Sequence, residues 1–124
     1  MKKLSFIFIA IFVLQSCSPS EDVTITRIKD GSFNACDGAT IGELADNFFS
    51  NPKWEAIVAT DGLSYVNLTG GMTFDGSPVD ALVQFTAPME DYADFGINAF
   101  ELNEIPQNAF MITGLVNVMC EEGQ

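Results

Sequence analysis

The segment from Trp54 to Thr86, WEAIVATDGLSYVNLTGGMTFDGSPVDALVQFT, decides the fold, because it alternates apolar and polar residues between glycine-containing turns. Alternation with a period of two is typical of antiparallel strands that have one buried face. The Asp-Gly pairs at residues 61–62 and 75–76 are hairpin turn signals. The segment therefore predicts three antiparallel strands. In the middle strand, Gly70-Gly71 predicts a bulge or a sharp bend.

A helix is predicted just before this segment. Thr40 and Glu43 have the spacing of a capping box, in which each side chain satisfies a backbone N–H at the helix start. The apolar residues that follow recur at intervals of three and four, which indicates one buried face. Asn51-Pro52 ends the helix. The residues expected on its buried face are Ile41, Leu44, Ala45, Phe48 and Phe49.

A fourth strand is predicted at residues 95–102, after the three alternating strands. Its own alternation assigns the side chains to two faces. We expect Phe95, Ile97 and Ala99 to face the core. Phe100 and Leu102 are then expected on the opposite face.

The two ends of the domain predict one further strand and one further helix. Residues 23–29 are rich in β-branched side chains and predict a short edge strand. Residues 107–121 are strongly apolar and predict a helix that is well covered by the sheet. The expected fold is α+β, with a single antiparallel sheet of four or five strands and two helices packed on one face.

The N-terminus has a different composition. Lys2 and Lys3 precede the segment Leu4 to Leu14, which is apolar apart from Ser5, and Cys17 follows shortly after. A membrane-spanning helix needs roughly 20 apolar residues, whereas a secretory signal needs only about 7 to 15. The length therefore favours an export signal over a membrane span. A plain secretory signal is the other alternative, although the Ala-x-Ala-like cleavage site typical of that class is absent.

The two lysines, the apolar segment and Leu14-Gln15-Ser16-Cys17 together resemble the lipobox signal of bacterial lipoproteins. The resemblance implies that residues 1–16 are removed, that Cys17 is acylated, and that the lipid anchors the protein to a membrane of the cell envelope. Ser18 stands where an aspartate tends to retain enterobacterial lipoproteins at the inner membrane, which implies the outer membrane. Residues 17–22 are then a lipidated tether, and residues 23–124 form one domain.

A second resemblance involves the mature part of the chain. The segments 40–54, 83–85 and 98–107 look like parts of a small domain found in exported bacterial proteins of unknown function. This resemblance implies one compact domain. It assigns no chemical role to any residue.

The chain is strongly acidic, with 5 basic and 17 acidic residues. Removing residues 1–16 leaves 3 basic and 17 acidic residues, a net charge of −14. Nucleic acids and anionic lipid headgroups are poor partners for such a surface, whereas a basic envelope protein is favoured. Alternatively, the charge only keeps the protein soluble. The sequence leaves the oligomeric state open.

Two cysteines are left if Cys17 carries lipid. Cys36 and Cys120 then form an even pair in an oxidising compartment, which predicts a disulfide between them. The alternative is two unrelated buried thiols.

The reactive groups of common enzymes are scarce. The chain contains no histidine, which removes the commonest general base and transition-metal ligand. We therefore expect a non-enzymatic protein without cofactors. Glu90, Asp91 and Asp94 are the candidate ligands of a calcium site. Their spacing lacks the regular pattern of calcium loops, so a solvated acidic loop is the favoured interpretation.

Three classes of function stay open at this point. The leading one is a binding module that uses the outer face of its sheet. A second is an inhibitor of a basic hydrolase such as lysozyme, and a third is a hydrolase that uses carboxylates alone. The residues proposed to form a binding patch on that face are Tyr65, Leu82, Phe100 and Leu102. The alternative interpretation is that these residues form a second core layer.

Overall fold

The computed structural model describes residues 22–87 and 96–123. Within these ranges, five strands form one antiparallel sheet in the order β1-β2-β3-β4-β5, and three helices pack against it. The predicted α+β class and antiparallel sheet are confirmed, with three helices instead of two. The elements are α1 (Val23–Asp30), α2 (Ile41–Phe48), β1 (Ser50–Val58), β2 (Ser64–Phe74), β3 (Ser77–Thr86), β4 (Ile97–Leu102), β5 (Ile105–Pro106) and α3 (Ala109–Glu122).

Helix α2 begins with the predicted capping box. The Thr40 hydroxyl accepts a hydrogen bond from the Glu43 backbone N–H at 3.1 Å, and the Thr40 N–H donates to the Glu43 carboxylate at 2.9 Å. The two bonds satisfy backbone donors that the first helical turn leaves without partners. The predicted face is buried at Ile41, Leu44 and Ala45.

The first helix, α1, corrects a prediction, because residues 23–29 were expected to form a strand. The Asp22 carboxylate accepts a hydrogen bond from the Thr24 N–H at 2.8 Å and caps the helix. Ile25 and Ile28, three residues apart, are both buried in the core. The β-branched composition misled the prediction because tertiary packing overrides strand propensity.

The hairpin between β2 and β3 has the predicted turn. Phe74 pairs with Ser77, and the intervening Asp75 and Gly76 both have positive φ angles, 52° and 79°. This is the type I′ geometry that Asp-Gly favours. The bulge predicted at Gly70-Gly71 is wrong for β2, which pairs with β3 without interruption there.

The irregularity lies instead in β1, between Ser50 and Lys53. Two β1 residues, Asn51 and Pro52, stand opposite the single residue Gly70, and Asn51 has a φ of 51°. The extra residue is therefore accommodated in the strand next to the glycines.

The buried residues of the sheet lie in rows that cross the strands on one face. Leu68, Val83 and Phe100 form one such row, with each residue paired to the next. The helices contribute Ile25, Ile28, Ile41, Leu44, Leu115 and Met119 to the same hydrophobic core.

The prediction for β4 is wrong at Phe100 and Leu102, which are 2% and 5% exposed and belong to this core. It is also wrong at Ala99, which pairs with Gln84 on the opposite face, but it is right at Ile97. Phe95 lies outside the described residues. The register of β4 against β3 shifts after Gln84, so that Phe85 pairs with Ile97. The extra residue, Asn98, reverses the alternation. Ile97 and Phe100 therefore both pack on the core, although their positions have opposite parity.

Helix α3 is joined to the loop before α2 by the predicted disulfide. The sulfur atoms of Cys36 and Cys120 lie at bonding distance, 2.00 Å. The helix is less covered than predicted, since only Leu115, Met119 and Cys120 are buried. Within the described ranges, no helix is long and apolar enough to cross a membrane.

Candidate functional site

The face of the sheet opposite the helices, here called the open face, is the candidate site. Its side chains are exposed or half-buried. Cross-strand pairing places them in rows, such as Lys53 with Thr69, Leu82 and Glu101. Its members are Lys53, Glu55, Ile57, Tyr65, Asn67, Thr69, Gly71, Asp80, Leu82, Gln84, Thr86, Asn98, Ala99 and Glu101.

Three amide side chains form a hydrogen-bonded chain across the middle of the open face. The Gln84 Nε2 donates to the Asn67 Oδ1 at 3.1 Å, and the Asn98 Nδ2 donates to the Gln84 Oε1 at 2.7 Å. These bonds fix three polar side chains on β2, β3 and β4. They leave the Asn67 amide hydrogens and the Asn98 carbonyl oxygen with capacity to bind a partner.

A groove of about 560 Å³ lies at one end of the open face. Gly71 contributes no side chain to it, and Leu82 lies in its floor between β2 and β4. Lys53 lines the β1 side, while Glu101 and Glu104 line the opposite side. Its further lining residues are Ser50, Asn51, Thr69, Gly70, Asp80 and Ala81.

The charged side chains of this groove are available for a ligand. In the part of the chain that the structure covers, Lys53, Glu101 and Glu104 form no side-chain hydrogen bond or ion pair. Neighbouring strands are about 4.8 Å apart, so Lys53 on β1 and Glu101 on β4 are separated by about three such spacings. The groove is therefore acidic at one end and has Lys53 at the other.

The β4–β5 turn positions Glu104. Leu102 pairs with Ile105, and the two residues between them, Asn103 and Glu104, have φ angles of 50° and 70°. The Asn103 N–H donates to the Asp80 carbonyl at 2.8 Å, and its side-chain oxygen accepts from the Asp80 N–H at 2.9 Å. The turn is therefore fixed to β3. Glutamate occupies a left-handed position that favours glycine.

Tyr65 lies at the other end of the open face. Its hydroxyl donates to the Asp61 Oδ2 at 3.3 Å. Partial desolvation, followed by the Asp61 charge and this hydrogen bond, raises the pKa of Tyr65 above its ordinary value of 10.0. The phenol is therefore a neutral donor across the physiological range.

The structure divides the predicted binding patch between the two faces. Tyr65 and Leu82 lie on the open face and are half-buried, whereas Phe100 and Leu102 point into the core. The sequence prediction missed Lys53, Glu101 and Glu104. The signal for Lys53 is the alternation of side chains between the two faces of β1. The signal for Glu101 and Glu104 is the two-residue turn between β4 and β5.

Two predicted sites lie outside the described residues. These are the acylation site at Cys17 and the calcium candidate formed by Glu90, Asp91 and Asp94. Between residues 22 and 87 and between 96 and 123, no group of three or more histidine, cysteine or acidic side chains could hold a metal ion.

No family model, curated protein or solved structure matches this chain. The resemblances drawn from its sequence motifs therefore stay predictions. The properties of the open face rest on its own geometry and charge.

Proposed function

We propose that this protein is a lipid-anchored, non-enzymatic binding module of the bacterial cell envelope, and that its open face binds a basic protein. The observation that supports this most strongly is the groove in which Glu101 and Glu104 stand without a counter-ion among the described residues. A cationic side chain entering the groove would supply that counter-ion. Paired charges of opposite sign also accelerate encounter and fix the orientation of the complex.

The charge of the whole domain supports the same class of partner. The described residues include three basic and thirteen acidic side chains, a net charge of −10. A field of one sign attracts a cationic protein over a Debye length of about 8 Å at physiological salt. Nucleic acids and anionic membranes are repelled by the same field.

The presence of glutamate, and not glycine, at position 104 gives a second argument. In the β2–β3 turn the equivalent left-handed position is Gly76, with a φ of 79°, whereas the β4–β5 turn has glutamate there. A non-glycine residue in this conformation costs about 1 to 2 kcal/mol. The turn therefore places a carboxylate at the rim of the groove at the expense of local stability, which is typical of functional positions.

Anchoring is the second part of the proposal. Acylation of Cys17 would hold the domain by a tether that spans at most about 17 Å between residues 17 and 22. Helix α1 starts directly afterwards, at Val23. The domain would therefore stay close to the lipid surface. Palmitate labelling of wild type and Cys17→Ala tests this: labelling should be lost in the variant, and equal labelling would contradict acylation at this residue.

The binding proposal is tested with the full chain in nanodiscs of phosphatidylcholine, titrated with two basic proteins, lysozyme and cytochrome c. We expect binding at low salt that weakens as salt rises. Binding of both proteins supports a general module for basic proteins, and binding of lysozyme alone supports the inhibitor of a basic hydrolase. Binding of neither at low salt would contradict the proposal.

Charge variants on the two sides of the domain locate the interaction. Glu101→Gln combined with Glu104→Gln should weaken binding about tenfold at low salt, since two counter-ions of the bound cation are lost. Asp46→Asn combined with Glu121→Gln makes the same change in net charge on exposed helical positions. The helical pair should retain most of the affinity. An equal loss in both double variants would indicate a general charge effect and contradict the open face as the site.

A further inference from the structure

A second groove, of about 300 Å³, lies on the helix side of the sheet between α3 and the β2–β3 hairpin. It is here called the Phe110 groove, and it is separate from the open face. Its walls are mostly aromatic and aliphatic. The lining residues that matter here are Phe48, Met72, Phe74, Phe110, Met111 and Val118.

The aromatic side chains of this groove are unusually exposed. Phe110, in the first turn of α3, is 82% exposed, and Phe74 on the hairpin is 42% exposed. Single exposed apolar residues are common on protein surfaces and need no explanation. Two phenylalanines that line one groove with two methionines form a patch of the kind used to bind partners, because methionine adapts its shape to different ligands.

Gly114 forms part of the same groove and lies in the middle of α3. A glycine in a helix interior costs about 1 kcal/mol relative to alanine. A Cβ added at Gly114 would meet no atom of the described residues within 4 Å, so packing in that part of the domain does not require glycine there. The missing side chain instead keeps the groove open between Phe110 and Val118, which lie four residues to either side on the same face of the helix.

The charges around the groove restrict what can occupy it. Among the residues that the structure describes, the charged ones that line the groove are Asp75 and Glu122, and both are acidic. A second copy of this acidic domain or an anionic membrane would bring like charge to this site, which is unfavourable. A segment that combines apolar side chains with lysine or arginine matches both the walls and the rim.

We propose that the Phe110 groove binds an amphipathic helical segment of a partner protein, with apolar side chains facing the groove and basic residues beside them. A volume of 300 Å³ is at the lower end of ligand pockets, so it accommodates a few side chains and not a folded domain. Helices that lay an apolar face into a hydrophobic groove are a recurring mode of peptide recognition. This interaction does not depend on the binding proposed for the open face.

The test uses the full chain in phosphatidylcholine nanodiscs and a fluorescent synthetic helix of leucine and lysine, with leucine at every third and fourth position. Empty nanodiscs correct for binding of the probe to lipid. Gly114→Leu should fill the groove and weaken binding at least about tenfold. Phe110→Gln should weaken it in the same direction, and this residue is too exposed for the change to unfold the domain.

Asn117→Leu is the matched control, since it adds the same side chain at an exposed position of α3 outside the groove lining. The affinity of Asn117→Leu for the leucine-lysine peptide should equal that of wild type. The proposal is overturned if Phe110→Gln and wild type bind the peptide equally. It is also overturned if a leucine-glutamate peptide binds as tightly, or if sedimentation shows that wild type forms a dimer that Phe110→Gln abolishes.

Discussion

The two faces of the sheet differ in what their side chains do. On the helix face, paired rows such as Leu68, Val83 and Phe100 are buried with the three helices. On the open face, the corresponding rows contain the amide chain and the groove charges that form no ion pair among the described residues. One alternating sequence therefore supplies stability to one side of the sheet and leaves polar groups available on the other. Changes on the helix face should therefore alter folding, and changes on the open face should alter binding.

The largest expected effect comes from the disulfide that holds the helix face together. Cys36 and Cys120 are 84 residues apart, and the chain-entropy model assigns about 4 to 5 kcal/mol to closing a loop of that length. Replacing both cysteines by alanine should lower the free energy of unfolding by most of that amount. Denaturant unfolding measures it, with reductant added to wild type as a control. A loss of unfolding free energy below about 1 kcal/mol would contradict the value assigned by the chain-entropy model.

Two adjacent glycines provide the sharpest comparison between the faces. A Cβ at Gly70, on the helix side, would lie 2.8 Å from the Phe49 Cβ, whereas a Cβ at Gly71 would meet the Ser50 Cβ at an ordinary 3.4 Å. Phe49 is buried and cannot move away freely. Gly70→Ala should therefore destabilise the domain by about 1 to 3 kcal/mol, and Gly71→Ala by less than about 0.5. Denaturant midpoints that are equal for the two variants would contradict the assignment of faces.

Replacing Glu104 by glycine should raise the stability of the domain and weaken its binding of a basic protein. Glu104→Gly relieves the left-handed conformation but increases the freedom of the unfolded chain, so a gain of up to about 1 kcal/mol is expected. The same variant removes a carboxylate from the groove and should weaken binding of a basic protein. Asn51→Gly serves as a control, because it relieves a φ of 51° in β1 and keeps this carboxylate. Equal binding by Glu104→Gly and wild type would remove Glu104 from the proposed site.

The smallest expected effect concerns Tyr65 at high pH. Because its pKa is raised in the folded state, the stability it contributes is present below the ordinary value of 10.0 and is lost as pH rises through the higher folded value. In a Tyr92→Phe background, tyrosinate absorbance should therefore titrate at a higher pH in folded than in unfolded protein. Asp61→Asn should shift the folded titration downward. A folded titration at or below the unfolded one would contradict the contact with Asp61.

Sequence reasoning predicted the parts of the fold that local chemistry determines. The capping box at Thr40, the Asp75-Gly76 turn and the alternation of buried and less buried residues in β3 are confirmed. Each depends on residues close together in the chain, where propensity and geometry agree. The disulfide was also predicted, because pairing follows from the number of cysteines once the compartment is assumed.

The wrong predictions share a different cause. Helix α1 depends on burial of Ile25 and Ile28 against distant residues, and the reversal of β4 depends on a shift of pairing with β3 after Gln84. Neither is determined by local sequence. The prediction of the binding patch is wrong because of the same shift in pairing between β3 and β4, which places Phe100 and Leu102 on the other face. The acidic groove was not predicted, because it needs the register of four strands to bring Lys53 and Glu101 into one row.

The most direct test of the open face as a binding site is a magnetic resonance titration of the side-chain amide signals with a basic protein. Asn67, Gln84 and Asn98 report on the open face. On the helix side, Asn47 donates to the Gly123 carbonyl and Asn108 caps α3, and both serve as internal controls. If the open face binds the partner, the signals of Asn67, Gln84 and Asn98 shift as the partner is added, while those of the two controls do not. Shifts confined to Asn47 and Asn108 would contradict binding at the open face.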